Sequence, residues 1–201
     1  RIARAACGKD NIAICGYHGW HDWYLATNLK NNSGLKDHLL PGLHPEGVPK
    51  NLEGTVIPFE YNNLEELIEI SEKYELAAVK MEVERSIKPK EGFLEGVRKL
   101  CDQKGIVLIF DECTSGFRET YGGYYKKFSI VPDILIYGKA LGNGYPITAV
   151  LSKKKFFEVA SNTFISSTFW SDGIGLTAAL KTLDVMKKKK HGQLFLKKEN
   201  I

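Results

Sequence analysis

The chain has 201 residues, of which 43% are hydrophobic and 26% are charged. These proportions are ordinary for a globular protein and exclude a disordered or fibrous chain, and the length suits one domain or slightly more. The net charge of +4 is weakly basic, and much of the excess lies in residues 187–190, which follow an apolar helical series. Lysines are favoured in the last turn of a helix, so this run predicts a solvated helix end and no nucleic-acid partner.

The four cysteines are widely spaced, with no C-x-x-C pair and no histidine at zinc-finger spacing. This pattern predicts reduced thiols, a cytoplasmic location and no bound metal. The sequence has neither a signal-peptide pattern nor an apolar run approaching 18 residues. We therefore expect no contact with a membrane.

Short apolar runs alternate with amphipathic helical patterns along the chain. Buried strands are predicted at residues 12–17, 55–59, 76–81, 106–110, 134–137 and 147–151. Several of these runs are continuously apolar, which is typical of parallel strands covered on both faces. Helical stripes lie between them, one carried by Leu64, Leu67 and Ile68 and another running from Phe93 to Cys101 before Gly105. The predicted fold is α/β, a three-layer αβα arrangement around a mostly parallel sheet.

Three segments fall outside this alternation. Residues 30–58 are rich in Asn, Gly and Pro and are predicted to form a long excursion of the kind that covers a site or meets a partner chain. The first residues read as the end of a helix capped by Gly8, and the last ones trail away from a lysine-rich helix. We therefore expect residues 1–201 to be one large domain that is incomplete at both ends.

Chemically capable side chains follow four of the predicted strands. Ligands of open parallel sheets collect at the carboxyl ends of the strands, so these groups are expected at one edge. Each has a structural alternative, such as a core tyrosine, a rim carboxylate, a helix-capping aspartate or a surface lysine. The residues are Tyr17 and His18 after the first strand, Glu82 after the third, Asp111 and Glu112 after the fourth, and Lys139 after the fifth.

Lys139 is the most informative of these residues. It follows the apolar run Ile134–Tyr137 and one glycine, where desolvation is expected to disfavour the charged ammonium and so to leave a reactive amine. The glycines around it match neither a P-loop nor a dinucleotide-binding motif. A pyridoxal phosphate (PLP) site needs both a lysine amine and a carboxylate, the first for the aldehyde and the second for the pyridine nitrogen. Lys139 and Asp111 can supply this pair.

Four motifs carry a resemblance to a known family. The segment IFDECTSGFRETYGG, followed by PDILIYGKALGNGYPITAV, resembles the signature of class III aminotransferases. ICGYHGWHDW and TFISSTFWSDGIGLTAAL resemble the cofactor-stacking and phosphate-contact segments of the same family. These are fold-type I PLP enzymes, which include glutamate-1-semialdehyde aminomutase. The motifs occur in the family's order over nearly the whole chain.

The resemblance implies a PLP-dependent amino-group transfer, by transaminase or 2,1-aminomutase chemistry, through a Schiff base on Lys139. It also implies an amino donor, a keto or aldehyde acceptor, and a homodimer with its active site at the interface. The implied roles are pyridinium binding by Asp111, stacking on one ring face by Tyr17, a position near the other face for Cys113, and a contact from Thr168 to the cofactor phosphate of the neighbouring subunit. His18 is implied at the cofactor, and Glu82 and Ser115 in the substrate pocket.

Two departures from the family pattern leave an alternative open. Cys113 stands where the family usually has Val, which preserves bulk, and Val83 stands where Pro usually follows Glu82, which affects the local backbone. Val83, together with the expected incompleteness at both ends, motivates a second hypothesis, a non-catalytic or truncated ligand-binding scaffold of the same fold. The aromatic segments suit an ω-amino or semialdehyde substrate, but a dimer interface would have the same composition.

Overall fold

In a computed structural model, the chain is described at residues 1–30, 34–35, 43–84 and 86–189. The predicted excursion at residues 30–58 and the trailing C-terminal segment lie partly or wholly outside these ranges. Helices and strands alternate as the sequence pattern predicts. The strands are β1 (Asn11–Cys15), β2 (Val56–Pro58), β3 (Leu76–Met81), β4 (Val107–Asp111), β5 (Ile134–Tyr137) and β6 (Ala149–Ser152). The helices are α1 (Ile2–Cys7), α2 (Asp22–Leu25), α3 (Leu64–Lys73), α4 (Phe93–Lys104), α5 (Lys154–Ser161) and α6 (Gly173–Lys189).

The six strands form one mostly parallel sheet in the order β2-β1-β3-β4-β5-β6, which confirms the predicted α/β class. The chain divides into two compact units. Unit 1 comprises residues 1–82 and 89–109, and unit 2 comprises residues 83–88 and 110–201.

In unit 1, β1 pairs in parallel with both β2 and β3, placing Ile12 opposite Val56 on one side and Ala78 on the other. The side chains of β1 from Ile12 to Cys15 are all buried, as expected for a strand covered on both faces. Helix α4 ends at Gly105, whose φ of +64° is readily adopted only by a residue without a Cβ. Of the predicted stripe on α3, Leu67 is buried but Ile68 is exposed, so the buried stripe is narrower than predicted.

In unit 2, β5 and β6 are antiparallel, with Ile134 opposite Ser152 and Tyr137 opposite Ala149. The prediction that the run at residues 147–151 forms another buried parallel strand was therefore wrong. Residues 138–148 connect the two strands without a long helix, and parallel neighbours need a crossover of a dozen or more residues. Strand β6 lies at the end of the sheet, and its side chains Val150 and Leu151 are exposed.

Candidate functional site

Lys139 lies just beyond β5, in unit 2. The strand ends at Tyr137, Gly138 is extended, and Lys139 begins a short 3-10 turn with a φ of +41°. The side chain is exposed, so of the two expectations for this position the surface lysine is observed in this chain and the desolvated amine is not. Its Nζ donates a hydrogen bond of 2.8 Å to Thr114 Oγ1. The amine is thus accessible and held by a neutral hydroxyl.

Asp111 is the last residue of β4 and is 8% exposed. Its Oδ1 accepts a hydrogen bond of 3.2 Å from the backbone N–H of Cys113. Turns rather than a helix follow the strand here, so the alternative of a helix-capping aspartate does not apply. The carboxylate closes a local turn at the strand end, where it is largely removed from water.

Cys113 connects the surroundings of Asp111 with those of Lys139. Its backbone N–H donates the hydrogen bond to Asp111. Its Sγ lies against Gly138, the residue before Lys139, and would be 3.2 Å from a Cβ added there. Cys113 is half-buried and is not part of a disulfide bond. The structure therefore brings Asp111, Cys113 and Lys139 into one neighbourhood, with Gly138 making room for the sulfur.

Glu112 is a residue to which the sequence analysis gave no role. Its side chain is completely buried, at 0% exposure, and accepts three hydrogen bonds. The donors are Ser115 Oγ at 2.7 Å and the backbone N–H groups of Tyr124 and Tyr125, each at 2.8 Å. Burial raises the pKa of Glu112, an effect only partly opposed by these hydrogen bonds. The signal in the sequence was a second acidic residue directly after the apolar run that forms β4.

Ser115, predicted for the substrate pocket, donates its hydroxyl to this buried carboxylate. Burial, and next the charge of Glu112, raise the pKa of Tyr137.

Thr168 lies in an exposed turn between α5 and α6, and the contacts that join Asp111, Cys113 and Lys139 do not include it. Val83, at the other departure from the family pattern, is buried at a bend.

The remaining predicted residues lie together in unit 1. Tyr17 follows the turn at Gly16, and its backbone N–H donates to Glu82 Oε2 at 3.1 Å. Glu82 and His18 are both buried. The rings of Tyr17 and His18 each meet Tyr24 edge to face, at centroid distances of 5.8 and 5.9 Å. These residues form a compact group at the ends of β1 and β3.

The described residues contain neither a group of metal-binding side chains nor a helix suited to a membrane. Within the ranges that the structure describes, no three or more His, Cys, Asp or Glu side chains are grouped so that they could hold a metal ion. In the same part of the chain, no helix combines the length and apolar character that crossing a membrane requires.

Comparison with known proteins identifies the family. Residues 12–200 match the model of the family Aminotransferase class-III. The chain belongs to the class-III aminotransferase family. The predicted family resemblance is thereby confirmed.

Individual class-III relatives show how much of a whole protein this chain represents. The 3-aminobutyryl-CoA aminotransferase of Cloacimonas acidaminovorans is 37% identical over 200 residues, covering 94% of this chain and 44% of that protein. The glutamate-1-semialdehyde 2,1-aminomutase of Citrifermentans bemidjiense is 34% identical over 199 residues, covering 94% and 45%. An omega-transaminase structure from Sphaerobacter thermophilus has a TM-score of 0.78 and 26% identity, covering 92% and 45%. The chain spans slightly under half the length of these relatives.

Proposed function

We propose that the protein containing this chain transfers an amino group with pyridoxal phosphate held covalently by Lys139. The carrying observation is the neighbourhood in unit 2 that includes an accessible amine and a largely buried carboxylate. This donor set fits PLP, whose aldehyde takes an amine and whose ring nitrogen takes an anion. When bound, the cofactor withdraws electrons from the substrate carbon that carries the amino group.

The residues of unit 2 have distinct parts in this proposal. Lys139 Nζ would hold the cofactor aldehyde and, when released, would carry a proton to or from the substrate carbon. Asp111 would face the ring nitrogen, because a neighbouring anion favours its protonated form, and its carboxylate is oriented by the Cys113 N–H. Cys113 lies beside the residue that precedes Lys139, a position compatible with contact to the ring.

For the other site residues, the family pattern supports the proposal. We assign Tyr17 and His18 to cofactor binding, Thr168 to a phosphate contact with a neighbouring subunit, and Glu82 and Ser115 to the substrate pocket. Residues 1–201 are proposed to belong to the cofactor-binding large domain. The four cysteines form no disulfide bond, which supports a cytoplasmic location, where thiols remain reduced.

A homodimer is part of the same proposal. Large apolar side chains around Thr168 are exposed in this chain, among them Phe164 at 83% and Trp170 at 70%. Exposed apolar surface of this kind is typical of an interface. We expect Trp170→Glu to shift the complete protein from dimer to monomer in light scattering, and an unchanged mass would contradict the assignment of this turn to the interface.

The test of the proposed function is chemical trapping on the complete protein. Addition of PLP should give a visible absorption band, and borohydride should fix the cofactor to Lys139, as identified by peptide mass mapping. Lys139→Ala should lose the label, whereas Lys154→Ala, which removes an exposed lysine of α5, should retain it. Failure to take up PLP, or a label on another lysine, would refute the proposal.

The class of reaction follows from a second measurement. The proposed substrates are a small amino donor and a keto or aldehyde acceptor. Loaded protein is mixed with 3-aminobutyryl-CoA or with glutamate-1-semialdehyde, the compounds in the names of the two relatives, and the visible band is followed. Turnover of glutamate-1-semialdehyde without a second keto acid would indicate an aminomutase. A requirement for a keto acceptor would indicate a transaminase.

A further inference from the structure

The amine of Lys139 has a specific partner in unit 2. Its Nζ lies 2.8 Å from the hydroxyl of Thr114, a residue to which neither the sequence motifs nor the proposed function assigns a role. Thr114 is half-buried, and its backbone carbonyl accepts a hydrogen bond of 2.5 Å from Arg118 Nε. The hydroxyl therefore belongs to a residue that is itself held in place.

Hydrogen bonds of Glu112 hold the turn that carries Thr114 in place. The backbone N–H of Glu112 donates to Ile136 O on β5 at 2.9 Å, and its carbonyl accepts from Gly116 N at 2.8 Å. Its buried carboxylate accepts from Ser115 within the turn and from two backbone groups at residues 124 and 125. Buried hydrogen bonds of this kind restrict local motion, so the position of the Thr114 hydroxyl is determined by the fold.

Lys139 lies in a separate turn that is also held by hydrogen bonds. Its positive φ is maintained by a 3-10 turn in which Leu141 N donates to Gly138 O and Gly142 N donates to Lys139 O. A non-glycine residue in this conformation is strained, and such strain persists where the surroundings impose it. The two partners of the 2.8 Å bond thus come from two independently restrained turns.

We propose that Thr114 is a positioning residue that holds the Lys139 amine whenever this amine is not bound to the cofactor. The inference rests on the proposed function. In cofactor capture, Lys139 Nζ would form a bond to the aldehyde carbon and give up both hydrogens of the neutral amine, which would leave with the aldehyde oxygen as water. A hydroxyl suits this task, because it can accept from an ammonium and donate to a neutral amine. A carboxylate would favour the ammonium, which cannot attack.

Three variants of the complete protein test the role. Thr114→Val keeps the branched shape without the hydroxyl, Thr114→Ser keeps the hydroxyl, and Thr114→Ala covers the case in which Thr114→Val misfolds. The rate of the visible absorption rise after mixing with PLP should fall about 3- to 10-fold in Thr114→Val and Thr114→Ala, the range expected for one lost hydrogen bond. The Ser variant should remain within about twofold of the wild type, with apoprotein melting temperatures unchanged.

A second readout does not use the cofactor. In apoprotein treated with acetic anhydride, acetylation of Lys139 is measured by mass spectrometry relative to that of the exposed Lys154. Release of the amine from Thr114 should raise this ratio about threefold in Thr114→Val and Thr114→Ala but not in Thr114→Ser. Equal capture rates in the wild type, Thr114→Val and Thr114→Ala, or a Thr114→Ser variant as slow as Thr114→Val, would overturn the inference. If the wild type captures no PLP, the proposed function fails, and the acetylation ratio alone decides the role of Thr114.

Discussion

Replacement of Glu112 by glutamine changes a buried acceptor with minimal change in shape. The carboxylate accepts on both oxygens, with Ser115 and Tyr124 N–H on Oε2 and Tyr125 N–H on Oε1. A glutamine can match the first pair with its carbonyl, but its NH₂ group then faces the Tyr125 N–H. A buried donor left without an acceptor costs about 1–3 kcal/mol, and relief of carboxylate desolvation offsets part of this. We expect a net loss of about 1–2 kcal/mol at pH 7.

The assay is urea unfolding of the complete protein, followed by circular dichroism. Two matched variants calibrate it. Ser115→Ala removes a single donor to the same carboxylate and should cost about 1 kcal/mol. Glu95→Gln makes the same chemical change on the exposed face of α4 and should stay within about 0.5 kcal/mol of the wild type. A Glu112→Gln variant as stable as Glu95→Gln would refute the structural role of the buried carboxylate.

The pH dependence of the unfolding free energy tests the direction of the pKa shift of Glu112. Burial raises the pKa of Glu112 in the folded protein above its unfolded value of about 4.3. The folded state therefore binds more protons between these two pKa values. The contribution of Glu112 to the unfolding free energy is fully present below the unfolded pKa and decreases as pH rises through the folded pKa. The stability difference between wild type and Glu112→Gln should consequently narrow from pH 4.5 to 8, and widening with pH would contradict a raised pKa.

Three further predictions concern backbone and packing and are tested by the same unfolding assay. Gly16→Ala should lower the unfolding free energy by at least about 1 kcal/mol more than Gly47→Ala, because both glycines have positive φ but only at Gly16 would the new Cβ meet a carboxylate, Glu82 Oε2 at 2.7 Å. Equal losses in the two variants would show that the Glu82 side chain moves aside without cost. Gly96→Ala in α4 should destabilise by about 1–3 kcal/mol despite better helix propensity, because the methyl group would overlap Leu64, and adding Leu64→Val should recover part of the loss. Lys139→Gly should be about 1 kcal/mol more stable than Lys139→Ala, because glycine adopts a positive φ without strain and alanine does not, and neither variant should capture the cofactor. Identical stabilities would exclude backbone strain at this residue.

The parts of the fold that could be predicted from sequence are those with an unambiguous local signal. Strands β3 and β5 have the predicted bounds, because each is an apolar run that ends at polar or glycine residues. Helix α4 ends at Gly105 as predicted. Strand β6 was predicted to be buried and parallel because its composition is apolar, but pairing direction depends on the length and path of the connection, which the composition of a strand does not encode.

The candidate site divides in the same way. Asp111 and Lys139 could be found from the sequence, because a strand end and a residue type suffice to nominate them. The exposure of Lys139 could not be predicted, since it depends on the path of the chain after β5, where Lys139 has a φ of +41°. The hydrogen bonds of Glu112 could not be predicted either, because their two backbone donors, Tyr124 and Tyr125, come 12 and 13 positions later in the chain. Thr114 was missed because a threonine in a turn carries no signal of its own.

The arrangement in unit 2 links stability to reactivity through one short turn. Residues 111–115 contain the proposed cofactor anion, the buried anchor Glu112, the thiol beside Gly138 and the hydroxyl that holds the Lys139 amine. Glu112 and Ser115 are hydrogen-bonded to each other, whereas Thr114 contacts Lys139, so we expect the contacts of Glu112 and Ser115 to help fix the positions of Asp111 and Thr114. A change confined to the interior, such as Glu112→Gln, should therefore slow cofactor capture even in protein that remains folded, whereas Ser115→Ala, which leaves both backbone donors in place, should slow it less.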